Sequence, residues 1–242
     1  MKEINKLLKD RKQIVFLDFE GTQYTQEIMA IGAVKVSIDA KNNIKKNNKK
    51  FIVYINPFGE VGKIVEGITG LNDEFLQENG TTFKKAIEKL KKFVGLKYKD
   101  TTYVTYGNFD KRLLHCSQEL NEMENDPFIA TIYENYMDFS AIFSKFVKDN
   151  KGQQLSLAEG LKVFKINFVG TEHDPSDDAY NLMLLYEAFV TKRGILVEQY
   201  KTTLDRFSHM PTPFIKLIRK LNKDKQITYE DYLKFIEEEI KW

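Results

Sequence analysis

The chain has a single cysteine, Cys116, which excludes an internal disulfide and any cysteine-built zinc site. Histidine is also scarce, at His115, His173 and His209. Long hydrophobic runs are missing: no stretch approaches about 18 consecutive apolar residues, and Met1 to Lys12 is a polar mixture without an apolar signal core. A soluble, intracellular, cytoplasmic protein is therefore expected, with no membrane partner and a reduced interior. Nor does one sign of charge dominate. With 37 basic and 35 acidic residues the formal net charge is +2, so total charge announces no nucleic-acid partner. What the 242 residues do contain is core material, 18 Phe, 12 Tyr and one Trp, which excludes general disorder. At about 150 residues per domain, that length predicts one medium core plus an extension.

Periodicity divides the chain. Gln13 to Glu20 (QIVFLDFE) and Glu27 to Ile38 are strand-length runs rich in β-branched and aromatic residues, and Lys49 to Asn56 reads as a third strand before Pro57. Between the last two, Lys41 to Lys50 carries five lysines and reads as a solvated hairpin tip. The period then changes. Phe83, Ala86, Ile87, Leu90, Phe93 and Val94 recur at three and four, with Thr81 or Thr82 as cap, predicting an amphipathic helix. A strand at Thr101 to Tyr106 and a helix from Asp110 to Leu120 follow. Another strand-then-helix unit is expected over Thr131 to Asn150, and a short helix over Leu155 to Phe164. A proline-containing loop, Thr171 to Asp178, leads into a helix with Ala179, Leu182, Met183, Leu185, Tyr186 and Phe189 on its buried face. Hairpin strands followed by alternating strands and helices predict an α/β fold with a mixed sheet. Residues 191–242 read as a helical extension, with a basic segment from Arg206 to Lys225, expected to dock on the core, and a final helix capped at Thr228.

The chemistry-bearing residues are carboxylates. Asp18 and Glu20, two apart in a strand, share a face, whereas Leu17 and Phe19 point the other way. Two like charges ending a buried strand require either solvent or a compensating cation. An Asp-x-Glu pair arises easily in a chain with 15 Asp and 20 Glu, so its place at a strand end carries more weight than the pair itself. Asp110 follows Gly107 at a strand-to-helix junction, and Asp177 and Asp178 open a helix. Each fits an acidic first-turn residue favoured by the helix dipole as well as a ligand. His173 is distinctive because histidine is rare, and it precedes Asp178 by five residues.

Taken together, Asp18-Phe-Glu-Gly-Thr22, Gly107-Asn-Phe-Asp110 and His173-Asp-Pro-Ser-Asp-Asp-Ala179 resemble the DEDDh exonucleases. These belong to the ribonuclease H-like superfamily and are relatives of ribonuclease T and the polymerase proofreading subunit. Ile68-Thr-Gly-Leu71, Tyr54-Ile-Asn-Pro57 and Asp177-Asp-Ala-Tyr-Asn181 extend the resemblance, which covers about residues 12–190. It is nearest the branch that trims histone mRNA and small RNAs. It implies a ribonuclease H-like domain over residues 1–190, with a five-stranded mixed sheet flanked by helices. Asp18, Glu20, Asp110 and Asp178 match the four acidic positions, and His173 matches the general base.

The activity so implied is 3′-to-5′ hydrolysis of single-stranded nucleic acid with a free 3′ end, RNA ahead of DNA, releasing 5′-mononucleotides. Two divalent cations, Mg²⁺ or Mn²⁺, about 3.5 to 4 Å apart are expected, since hard cations take oxygen ligands. Asp18 is expected to bridge them, with Glu20 and Asp178 on the water-activating ion and Asp110 on the second. Histidine titrates near neutrality, which suits His173 to take the water's proton. The resemblance further implies that backbone at Phe19 and Gly21, with Thr22, meets the terminal 3′ hydroxyl. Ile68 and Leu71 would pack on the last bases, with Asn108 and Phe109 nearby; ordinary core packing is the competing expectation for Ile68, Leu71 and Phe109. The rival function is a catalytically weak protein that keeps the fold and binds a nucleic-acid end or a regulatory partner. All five chemical positions being filled argues against it.

Overall fold

β1 (Gln13–Gly21) is the axis of the molecule because its two faces differ in kind. In the computed structural model, which describes residues 2–45, 48–207 and 209–240, β1 pairs antiparallel with β2 (Ile28–Ser37), and β2 with β3 (Lys49–Tyr54). On its other side β1 runs parallel to β4 (Thr101–Thr105), and β4 to β5 (Tyr136–Asp138). The strand order is β3-β2-β1-β4-β5, the five-stranded mixed sheet expected, with its antiparallel strands first.

The helices are, in chain order, α1 (Lys2–Leu8), α2 (Lys63–Thr69), α3 (Asp73–Asn79), α4 (Phe83–Val94), α5 (Phe109–Leu120), α6 (Pro127–Glu134) and α7 (Phe139–Phe143). After them come α8 (Leu157–Val163), α9 (Pro175–Thr191), α10 (Arg193–Phe207), α11 (Thr212–Leu221) and α12 (Tyr229–Ile240). Among the described residues no helix is long and apolar enough to cross a membrane. The chain divides into two compact units, one comprising residues through Ile142 together with Ser156–Thr191, the other Phe143–Leu155 with the residues from Lys192 on.

Alternation along β1 separates core from chemistry. Val15, Leu17 and Phe19 join a buried cluster with Phe83, Ile87 and Leu90 of α4, Leu113 and Leu114 of α5, and Phe128 and Ile132 of α6. Residues of the opposite register, Phe16, Asp18 and Glu20, face α9, which lies across β1, β2 and β3. There Phe16 meets Tyr186 edge to face, with ring centroids 5.5 Å apart. Asp18 is paired across the strand with Gly32, and a β-carbon at Gly32 would overlap the backbone of Pro175 and Ser176. A bare backbone at position 32 is therefore what lets the first turn of α9 close onto the sheet beside Asp18.

Local signals set most element ends. Thr82 caps α4 by accepting from Lys85 N–H, and Ser156 with Glu159 forms a reciprocal capping box on α8. The region after α5 departs from expectation. Thr131 lies inside α6, which the Asp126-Pro127 pair starts: the Asp126 carboxylate accepts from Phe128 and Ile129 N–H, and proline takes the first helical position. The strand is only Tyr136–Asp138, and α7 ends at Phe143. Three short helices, α1, α2 and α3, have no counterpart in the expected pattern. α2 buries no residue and is bounded by Gly62 and Gly70, both at positive φ.

Of the lysine-rich link Lys41 to Lys50, Lys46 and Asn47 lie outside the described residues. Lys50 is placed: it pairs with Asp177 at 3.0 Å and lies 4.3 Å from the Tyr180 ring centroid. In the second unit, Thr203 Oγ1 donates to the Phe146 carbonyl, and Phe146 packs on Tyr200. Of the basic segment Arg206 to Lys225, in which Ser208 lies outside the described residues, Lys216 pairs with Glu238, Arg219 with Asp205 and Lys220 with Asp231. Half of its six cations are thus engaged within their own unit, which leaves less of the segment for phosphates.

Gly32→Ala forces β2 and α9 apart and should cost about 2 kcal/mol or more. Thermal unfolding should show a midpoint lower by about 4 to 8 °C. Gly67→Ala, at an open position on α2 with nothing within 4 Å, is the control and should leave the midpoint unchanged or raise it.

Candidate active site

Four elements converge on the α9 side of the sheet: the end of β1, the turn after β4, the end of β5 and the start of α9. Asp18 and Glu20 come from β1, where the pleat puts both on this face. Asp110, 8% exposed, stands in the first turn of α5, and its Oδ1 accepts from the Phe19 N–H at 2.9 Å. The turn that delivers it is built on Gly107, at φ +117°. Gly107 N–H donates to Asp138 Oδ1 at 3.0 Å, while its carbonyl accepts from Thr105 Oγ1 and from the Tyr136 hydroxyl at 2.7 and 2.6 Å.

α9 begins at Pro175 because Asp174 caps it, accepting from the N–H groups of Ser176 and Asp177 and from Ser176 Oγ. Asp178 then lies in the first turn and accepts the His173 N–H at 2.8 Å. His173 sits at φ +68°, a left-handed conformation that histidine visits more readily than most residues. The preceding loop is tied down by Asn181, which is fully buried. Its side chain pairs with both the N–H and the carbonyl of Val169 and donates to the Asp177 carbonyl.

The donor atoms of Glu20, His173 and Asp178 all lie within 4.8 Å of one another. Asp18 and Asp110 adjoin this group as charges, and the effect is visible in every carboxyl. Burial lifts Asp18 well above the usual range, reinforced in order by Asp110, Asp178, Glu20 and Asp174. Burial raises Glu20 to about 8, again with Asp178 and Asp110 adding to it. Asp110 rises to about 7 through burial, opposed by its hydrogen bonds to the N–H groups of Phe19 and Asp110 itself. Asp178 rises to about 6 through burial, moderated by the hydrogen bond and charge of His173. Crowded carboxyls made this unwilling to ionise form a set that a cation of oxygen preference would satisfy. The residues present therefore fit divalent metal ions.

The residues expected around the substrate separate into two groups. Ile68, Asn108 and Phe109 are exposed, Ile68 by 51% and Phe109 by 54%. Leu71 instead belongs to a buried cluster with Met29, Ala30, Val61 and Leu76, so core packing prevails there. The Phe19 side chain is core, and its N–H is committed to Asp110. Thr22 is 3% exposed: its hydroxyl accepts from the Glu27 N–H and shares a hydrogen with Thr25, so it builds the turn after β1 rather than facing a ligand. Gly21 is closely packed, since a β-carbon there would displace the Leu113 side chain of α5.

Two further acids contribute that were not among the expected site residues. Asp138 holds the Gly107 turn and raises Asp110, and Asp174 caps α9 and raises Asp18 and Glu20. Each carried a local signal: Asp138 precedes Ser140 at a strand-to-helix junction, and Asp174 precedes a proline.

The model of the RNase T exonuclease family, described as Exonuclease, matches residues 15–186. A comparison with curated proteins returns no match. Among solved structures the chain resembles the nuclease domain of 3′hExo, a DEDDh family member, bound to rAMP, with TM-score 0.63 and 18% identity, covering 76% of this chain and 94% of that one. It also resembles cell-death related nuclease 4, CRN-4 (TM-score 0.61, 19% identity, 75% of this chain and 64% of that one). E. coli Exonuclease I with a 5cy-dT13 oligonucleotide gives TM-score 0.59 and 15% identity over 81% of this chain, which spans 44% of that one. At these identities the likeness is one of fold.

Because the folded-state pKa values of Glu20, Asp110 and Asp178 lie above their unfolded values near 4, the metal-free fold holds extra protons below them. Their contribution to its stability is full below about pH 4 and is lost as pH rises from there through about 6 to 8. Thermal unfolding in EDTA should show this decline, and Glu20→Gln should flatten it; a midpoint rising from pH 5 to 8 would contradict the carboxylate crowding. Independently, Asn181→Leu leaves the Val169 N–H and carbonyl unpaired and should cost about 1 to 3 kcal/mol or more in urea unfolding.

Proposed function

The chain belongs to this exonuclease family, and on that premise we propose that it is a DEDDh enzyme that degrades single-stranded nucleic acid from a free 3′ end in a metal-dependent hydrolysis. The observation that carries the reading is the grouping of Glu20, His173 and Asp178 donor atoms within 4.8 Å, beside the buried Asp18 and Asp110. Asp18, Glu20, Asp110 and Asp178 would hold two divalent cations, Mg²⁺ or Mn²⁺, which when bound supply neutralisation of the phosphate charge and activation of water.

The chain's own residues do the rest. The His173 imidazole takes the proton of the water that attacks the phosphorus of the terminal nucleotide. The bond to the 3′ oxygen of the preceding nucleotide breaks, that oxygen collects a proton from solvent, and a 5′-mononucleotide leaves. His173 is exposed, so the proton it accepts has a direct exit. Its backbone hydrogen bond to Asp178 keeps the base and a metal-binding carboxylate in fixed relation. Gly21, Ile68, Asn108 and Phe109 border the terminal nucleotide, while Phe19, Thr22 and Leu71 shape that border from beneath.

RNA stands ahead of DNA as the substrate. The neighbour of which the chain covers 94%, the 3′hExo nuclease domain, is bound to rAMP, and a related structure shows a 3′-exonuclease on a histone mRNA stem-loop, although E. coli Exonuclease I is seen with a DNA oligonucleotide. The catalytic domain is taken as residues 1–190 and the helical extension as 191–242, in a cytoplasmic protein.

Single-stranded RNA and DNA oligomers labelled at either end, incubated with Mn²⁺, Mg²⁺ or EDTA, test the reading. Stepwise shortening from the 3′ end is expected with metal, RNA being shortened faster than DNA. Activity persisting in EDTA or in Asp18→Ala would refute the metal requirement. His173→Ala should lower kcat by about 10² to 10⁴ near neutral pH, and full turnover would remove histidine from the base role.

A further inference from the structure

The lysine-rich run Lys41 to Lys50 ends on a residue that meets the start of α9. Lys50 lies on β3 in register with Val34 of β2, which is in register with Phe16 of β1, two residues along the strands from the Asp18 and Gly32 row. From there its ammonium stands 3.0 Å from Asp177 Oδ1 and 4.3 Å from the centre of the Tyr180 ring. The other oxygen of Asp177, Oδ2, accepts the Thr171 N–H at 3.1 Å. Both oxygens are thus committed, which sets Asp177 apart from Asp178 beside it: its work is on the loop and not on a metal. That loop holds an uncommon backbone. Gly170 is at φ +88°, where a β-carbon would overlap the Asp177 carboxylate, and His173 is at φ +68°. A non-glycine residue in that region persists only where its surroundings over-determine it. Three side chains of α9 contribute to this, Asn181 at Val169, Asp177 at Thr171 and Asp178 at His173, and Asp177 is in turn tied to the sheet through Lys50.

Resting on the exonuclease reading above, we propose that Lys50 is a positioning residue for His173: its pairing with Asp177 latches residues 170–174 to β3 in the form that brings the imidazole to Glu20 and Asp178. It touches neither substrate nor metal. The lever is short. Lys50 holds the Asp177 carboxylate, the carboxylate holds the Thr171 N–H, and Thr171 is two residues from His173. An ion pair whose side chains are 44 and 22% exposed adds little to global stability. It is nevertheless comparable with the cost of one left-handed non-glycine residue, so its loss lets the loop leave the active form in a large fraction of molecules. Because Asp18, Glu20, Asp110 and Asp178 keep their places on β1, α5 and α9, binding of the strand is spared. A lysine beside the site also suits a phosphate contact. Its ammonium, already seated between a carboxylate and a ring, favours the latch, and the two roles give opposite results.

Full-length wild type, Lys50→Met, Lys50→Arg, Asp177→Asn and Lys50→Met/Asp177→Asn are compared on a short 5′-labelled single strand with Mn²⁺. Lys50→Met keeps the stem and removes the charge. It should lower the single-turnover rate constant about five- to tenfold, while the half-saturating protein concentration moves by less than about twofold. Lys50→Arg, which can also pair with a carboxylate, should return the rate constant to within about twofold of wild type. Asparagine at 177 keeps an oxygen for Thr171 but offers Lys50 no charge, so Lys50→Met should add no further loss in that background. Hydrogen exchange at the Thr171 and His173 amides should quicken by a similar factor in Lys50→Met, with a thermal midpoint within about 2 °C of wild type. An unchanged rate constant overturns the latch, as does a loss that persists in full in the Asp177→Asn background. A raised half-saturating concentration with an unchanged rate constant also overturns it, assigning Lys50 to phosphate. A rate loss that merely follows a lowered midpoint assigns the pair to folding and overturns it likewise. If the wild-type protein cleaves no strand, the exonuclease reading falls and amide exchange alone decides the latch: faster exchange in Lys50→Met upholds it, and unchanged exchange overturns it.

Discussion

Like charges withdrawn from bulk water repel one another, and the region around Asp18 is a sustained arrangement of backbone against that repulsion. Asp18, Glu20, Asp110 and Asp178 are each raised by burial and by their neighbours. Left to flexible loops, they would swing outward to water. Instead one pair is fixed in the central strand, one acid is held by the Phe19 N–H, and one is held in the first turn of α9 with the His173 N–H on it. The sheet, the closely approaching helix and the capped turns are the framework that makes such crowding endurable, and a cation is the natural complement of what they enforce.

The two faces of β1 show how one nine-residue strand serves both ends. Leu17 and Phe19 contribute to the buried apolar cluster that anchors the strand, and the intervening Asp18 and the following Glu20 are rigid because their neighbours are. Electrostatic preorganisation here is a by-product of hydrophobic burial, through the two-residue period of the strand.

Much of this was legible in the sequence, for reasons that differ by element. The three leading strands and α4 declared themselves by period and composition, and Asp18 with Glu20 by sharing a face. Asp110, His173 and Asp178 were legible only jointly, through the resemblance, since each alone reads as a helix-start residue or a loop histidine. The α6 region misled because β-branched Thr131 and Ile132 suggest a strand, whereas the Asp126-Pro127 start decides for helix. Asp138 and Asp174, the second of them inside the His173–Ala179 motif, act through backbone N–H groups, so their roles emerge only when the turns are seen closed. Thr22 was expected at the terminal 3′ hydroxyl and Leu71 stood between base contact and core, because a side chain beside a site and a side chain under it have the same sequence; both are buried.

α2 gives the cleft a property the sheet cannot. None of its side chains is fully buried, and it is bounded by Gly62 and Gly70, both in the left-handed half of backbone space. It is held to the surface by the half-buried Val65, which packs on the cluster of Met29, Ala30, Val61, Leu71 and Leu76, and by the Ile64 N–H on Gln23 Oε1. Its outward side chains, Ile64 and Ile68, can therefore change in bulk without disturbing the spacing of the acids, which separates tolerance at the surface from precision at the site.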